Sequence, residues 1–128
     1  MAINRLDLVA VVVPDYDAGI AFYCGVLGLA LVRDEKVDEM KRWVVVSPGG
    51  GGGILLARAA DQRQQGRIGD QTGGRCFLFF HADDFAADHA WLLAAGVEFL
   101  ETPRSEPYGM VAKFRDPFGN VMDLIGPA

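Results

Sequence analysis

Apolar and polar residues fall in blocks along this chain, and the blocks come round twice. Leu8 to Val13 is an apolar run of strand length, closed by Pro14 and Asp15. Tyr16 to Leu27 follows with Ile20, Tyr23 and Leu27 at helical spacing, a stripe that would face a sheet. Gly28 then suits the left-handed residue that stops a helix. Farther on, Phe77 to Phe80 opens another apolar run, ending at Asp83-Asp84. Phe85 to Ala95 is Ala-rich and helical in pattern, and Gly96 closes it. Asp15 and Asp84 each suit an N-cap, where a carboxylate accepts an orphan backbone N–H.

Each helix is followed by strand-like segments. These are Leu29 to Arg33, Arg42 to Ser47 and Ile54 to Arg58 in the first half. They are Glu98 to Thr102, Gly109 to Arg115 and Val121 to Ile125 in the second. Each half therefore reads β-α-β-β-β. The polar, glycine-bearing stretch 59–74 reads as a linker, between a first module over 1–58 and a second over 75–128. Gly49 to Gly53 reads as a turn or loop. It lacks the Lys-Ser/Thr ending and the following helix of a phosphate-binding loop.

Bulk properties narrow the function. At 128 residues and 51% hydrophobic content the chain suits one folded domain. A net charge of −5 opposes a nucleic-acid partner, which wants a basic face, and opposes docking on anionic membranes. No apolar run has the ~20 residues a membrane span needs. Met1 to Arg5 lacks a secretory layout. Cys24 and Cys76 make no disulfide framework, so a reducing cytoplasm is the expected compartment.

The segment Phe114-Arg115-Asp116-Pro117-Phe118-Gly119-Asn120-Val121-Met122-Asp123-Leu124 is the most specific text in the chain. Pro117, Gly119 and Asn120 are turn residues between two apolar runs. Asp123 is a carboxylate inside an apolar strand, and burying it unpaired would be costly. It lines a cavity or it is paired, with Arg75, Lys113 and Arg115 as the available cations.

This segment resembles the C-terminal signature of the vicinal oxygen chelate superfamily, which includes glyoxalase I, bleomycin resistance proteins and extradiol dioxygenases. The first module's Val13-Pro14-Asp15 with Phe22-Tyr23 and Leu27-Gly28 is similar to the same family. The resemblance implies an α+β fold of two β-α-β-β-β modules whose curved mixed sheets surround a central pocket. It also implies a homodimer. In the metal-dependent members the acid of the last strand is a ligand, and here that is Asp123. The remaining ligand positions fall on Leu8, on Phe77 and within Leu55-Leu56-Ala57, with Asp7 and Cys76 one residue away. Leu and Phe ligate nothing, and one carboxylate does not hold a catalytic ion. No metal or other cofactor is expected.

His81 shares a strand face with Phe77 and Phe79, so it can look into the pocket as a donor or base, or simply bond Asp83. His89 reads as packing. Glu101, Glu106 and Tyr108 lie on a Pro-stiffened loop, and Trp43 and Trp91 read as core. The expectation is a small-molecule-binding protein whose pocket is lined by Leu8, Leu56, Phe77, Phe79, His81 and Asp123, taking an apolar or aromatic ligand. The alternative is a lyase or isomerase of the same fold, with His81 and Asp123 catalytic in proton transfer. A metal-dependent lyase or dioxygenase ranks below both. Whether the protein is an enzyme stays open at this level, because one fold hosts many activities.

Overall fold

The structure is a computed structural model that describes residues 2–128. It divides into two compact units, Met1–Gly66 and Arg67–Ala128, each with one curved, mixed sheet.

The first unit contains β1 (Leu8–Val13), α1 (Tyr16–Ile20), β2 (Ala30–Lys36), β3 (Arg42–Ser47), β4 (Gly53–Arg58) and the short α2 (Gln62–Gln65). Its sheet order is β1-β4-β3-β2, with β1 parallel to β4 and the other pairs antiparallel. Asp15 caps α1 by accepting from the Ala18 N–H at 3.0 Å. The helix does not run as one regular element to Leu27. From Ala21 to Val26 it widens into a π-helical segment, in which the Leu27 N–H reaches back to the Phe22 carbonyl at 2.9 Å. Phe22 and Tyr23, adjacent in sequence, are both buried there.

Alternation sorts the sheet's two faces. Val11, Val13, Val44, Val46 and Leu56 are all fully buried. They lie on the face against α1, where a Cβ on Gly19 would stand 3.1 Å from the Leu56 side chain. β2 is one of the two edge strands and is exposed along its whole length. Part of the polar 59–74 stretch is structured. Asp61 caps α2 through the Gln64 N–H, and the Gln64 side chain answers by accepting from the Ala60 N–H, both at 2.8 Å.

The second unit repeats the plan with one strand more. It contains β5 (Leu78–His81), α3 (Phe85–Ala94), β6 (Glu98–Phe99), β7 (Arg104–Glu106), β8 (Gly109–Arg115) and β9 (Val121–Gly126). The order is β5-β9-β8-β6, with β7 also paired to β8. The expected strand Glu98 to Thr102 stops at Phe99. The Leu100 N–H still reaches the Lys113 carbonyl at 2.9 Å, and regular strand pairing resumes beyond Pro103, which has no N–H to give. Across that gap the Glu101 carboxylate accepts the Lys113 N–H at 2.9 Å, in place of a strand partner.

A chain of ring contacts runs between the helix and the sheet of this unit. Phe85 stacks on His89, His89 meets Phe99, and Phe99 and Phe80 both meet Phe114. His89 therefore packs, as its helical position suggests.

Candidate functional site

The second sheet's other face, away from the Phe80–Phe114 cluster, holds a polar and apolar mixture. Register places Phe79 beside Asp123 and Asp123 beside Lys113, a row across β5, β9 and β8. The next row runs His81, Ile125, Val111 and Arg104. Residues in one row share a face. The sequence thus brings Phe79, His81 and Asp123 onto one surface, with Phe77 leading into β5.

The hairpin that positions Asp123 is built by another acid. One oxygen of buried Asp116 accepts the N–H groups of Phe118, Gly119 and Asn120 at 2.8–3.0 Å. Its other oxygen accepts the Asn120 side-chain amide at 2.8 Å. The turn is thereby locked, and β9 leaves it in fixed register. Asp116 is the part of the Asp-Pro-x-Gly-Asn text that does structural work.

Asp123 is 5% exposed and is paired. Its carboxylate accepts from the Lys113 ammonium at 3.1 Å, so of the three candidate cations the structure selects Lys113. Arg115 is turned to Glu98 instead. The Cys76 thiol faces the same carboxylate. Burial first, and then the charge of Asp123, push its pKa up to about 11. That is the setting of an inert thiol, since the thiolate is the nucleophile.

Phe79 is 62% exposed, a large apolar side chain with no core to fill. His81 is also exposed, and its Nδ1 lies 3.6 Å from an Asp83 oxygen, too far for a good hydrogen bond. His81 and Asp123 sit one row apart on the face and have separate partners.

In that second row, Arg104 holds Glu101 at 3.2 Å and also bonds Glu106. The Glu106 carboxylate, then the Tyr108 hydroxyl and Glu101, raise the Arg104 pKa further. Arg104 was not singled out from the sequence. Its place between Pro103 and Pro107, flanked by two glutamates, was the available signal.

The expected pocket residues of the first unit divide. Leu8 pairs with Gly53 and is half-buried. Leu56 lies on the opposite face, fully buried against α1. Its neighbour Leu55 shares the face of Leu8. The metal positions of the resembled family do not suit a metal here. Leu8, Leu55 and Phe77 carry no donor atom, and the Asp123 carboxylate is committed to Lys113. Among the described residues no three His, Cys, Asp or Glu come together to hold an ion.

Comparison with known proteins identifies the class. Residues 5–124 match the model of the Glyoxalase/Bleomycin resistance protein/Dioxygenase superfamily, and the chain belongs to that family. It is 45% identical over 120 residues to an uncharacterized protein from Shewanella frigidimarina (strain NCIMB 400), covering 91% of this chain and 89% of that protein. Among solved structures it is similar to TnmS3, an antibiotic binding protein from Streptomyces sp. CB03234. The identity is 31% and the TM-score 0.81, covering 100% of this chain and 99% of that one. It is also similar to UcmS2, at 29% identity and TM-score 0.82, covering 95% and 97%. No described helix is long and apolar enough to cross a membrane.

Proposed function

We propose that this protein binds a small apolar or aromatic molecule on the Phe79–Asp123 face of its second sheet. The observation that carries the reading is Phe79, 62% exposed beside a Lys113–Asp123 pair. Sites of this kind combine apolar surface with few, fixed polar groups. Phe79 supplies a ring for stacking. Lys113 retains donor capacity beyond its bond to Asp123, since an ammonium has three hydrogens. The 31% likeness to an antibiotic binding protein over the full chain favours an antibiotic as the ligand. The proton-transfer alternative asks for an unpaired carboxylate near a base. The pairing of Asp123 with Lys113 favours binding over turnover. The family's homodimer is part of the proposal, and light scattering checks it.

The test is calorimetric titration with a panel of antibiotics bearing aromatic ring systems, followed by mass spectrometry of the recovered ligand. The expected result is saturable binding of at least one member, returned unchanged. Phe79→Ala should weaken it by about tenfold or more, the worth of burying a Phe side chain. A panel that fails to bind, or an affinity indifferent to Phe79→Ala, would sink the proposal. Consumption of the ligand would revive the lyase or isomerase reading.

A further inference from the structure

A second cleft lies wholly within the first unit, where β3 begins and β4 ends. It encloses about 500 Å³. Trp43, Leu55, Ala57 and Ala59 give it apolar walls, and Met40, 68% exposed, overhangs it. Its charged lining is Lys41, Arg42 and Arg58 against the single acid Asp38, in a chain whose net charge is −5.

These cations are not equivalent. Arg42 is spent: it bonds Asp34 at 2.7 and 3.0 Å and Asp17 at 2.9 Å, and lies over the Tyr16 ring. Its hydrogen bonds hold the Asp34 carboxyl below its usual range. Among the described residues the Arg58 side chain bonds only a backbone carbonyl, that of Met40, at 3.5 Å. The Lys41 side chain has no acid within ion-pair distance among the described residues. The Asp38 carboxylate accepts the N–H groups of Met40 and Lys41 at 2.8 Å, and among the described residues no ion pair joins it to either cation. The cleft therefore offers an indole and aliphatic wall beside two cations that have no ion pair among the described residues.

We propose that this cleft binds a flat aromatic molecule carrying a carboxylate or similar anionic oxygen group. The ring packs against Trp43, and Arg58 and Lys41 take the anion. Guanidinium suits a carboxylate because it can present two parallel N–H donors. The inference does not depend on the ligand face of the second sheet, with which this cleft shares no residue.

The experiment uses 2-naphthoate and its neutral isostere naphthalene-2-carboxamide on the full chain. Trp91 is replaced by Phe so that Trp43 is the sole tryptophan reporter. Naphthoate should quench Trp43 fluorescence and bind about tenfold tighter than the carboxamide, ~1.4 kcal/mol. Arg58→Gln and Lys41→Gln should each erase most of that preference while leaving carboxamide affinity unchanged. Added salt should weaken naphthoate alone. Circular dichroism of each variant confirms folding, and Lys41→Gln is an exposed change that decides the matter if Arg58→Gln unfolds.

Equal affinities for the two probes, no Trp43 quenching, or indifference to Lys41→Gln would overturn the proposal. So would loss of naphthoate binding in Phe79→Ala with Trp43 unquenched, which would place the probe on the second sheet and leave the function proposed for that sheet standing.

Discussion

Lys113 and Asp123 matter as a pair. Asp123 is almost wholly buried while Lys113 keeps about a third of its side chain in water. Removing the cation strands a buried carboxylate, and breaking such pairs is far costlier than replacing both members. Lys113→Met should lose about 2 kcal/mol in urea unfolding, reduced from the fully buried case by the exposure of Lys113. The double change Lys113→Met, Asp123→Leu should recover most of that loss. A double variant as unstable as the single would mean that the pair is not the source. Cys76 offers a pH prediction. Its ordinary pKa of 9.0 rises to about 11 in the fold. As pH climbs between those values, the unfolded chain gives up the thiol proton and the folded chain keeps it. The folded state then binds more protons, so stability falls across that range. Iodoacetamide labelling in a Cys24→Ser background should be slow near pH ~8 and accelerate toward the raised value. Labelling near pH ~8 at the rate of an unfolded control would contradict it. The sequence shows Asp123 as a carboxylate needing a reason, but three cations stood near enough in the text. Only strand register selects Lys113.

At the scale of elements the periodic signals were legible and the irregular ones were not. The caps at Asp15 and Asp84 and the stops at Gly28 and Gly96 follow from local chemistry, and both glycines hold positive φ, 80° and 90°. The widening of the first helix after Ile20 and the break at Pro103 depend on packing and pairing partners that no local pattern displays. Strand faces are similarly fragile, because a one-residue slip reverses every side chain. The sequence puts one family position within Leu55-Leu56-Ala57, and only the register shows that Leu56 takes the face against α1 while Leu55 takes the other. Gly69 is the sharpest case of a contact hidden from the sequence. It sits in the polar stretch that reads as linker, yet a Cβ there would lie 1.9 Å from the Phe118 carbonyl oxygen, at φ 73°. This backbone clasps the turn that aims β9. Gly69→Ala should cost about 2–3 kcal/mol from clash and backbone strain together. Gly73→Ala, at φ 67° with open space around it, should cost about 1 kcal/mol from strain alone. Equal losses in thermal unfolding would remove the clasp from the account.

For the molecule as a whole, the repeat and the hairpin text were enough to reach the family. The chemistry was not, because family members differ in donors at positions that a fold leaves free. The residues in the family's metal positions here are hydrocarbon except for Asp123, and a ligand-poor site gains nothing from an ion. A molecule that binds only the folded state, at 100 times its dissociation constant, adds about 2.7 kcal/mol. For a chain of this size that raises Tm by roughly 10 °C. The two reagents should therefore separate in one thermal series. A bound aromatic antibiotic should lift Tm by several degrees, and Phe79→Ala should reduce the lift. Zinc, nickel, manganese or iron(II), loaded after dialysis against chelator, should leave Tm where it was, with no stoichiometric metal by elemental mass spectrometry. A metal retained one-to-one, raising Tm and lost in Asp123→Ala, would reverse the donor argument and return Asp123 to the ligand role it has in the metal-dependent members of the family.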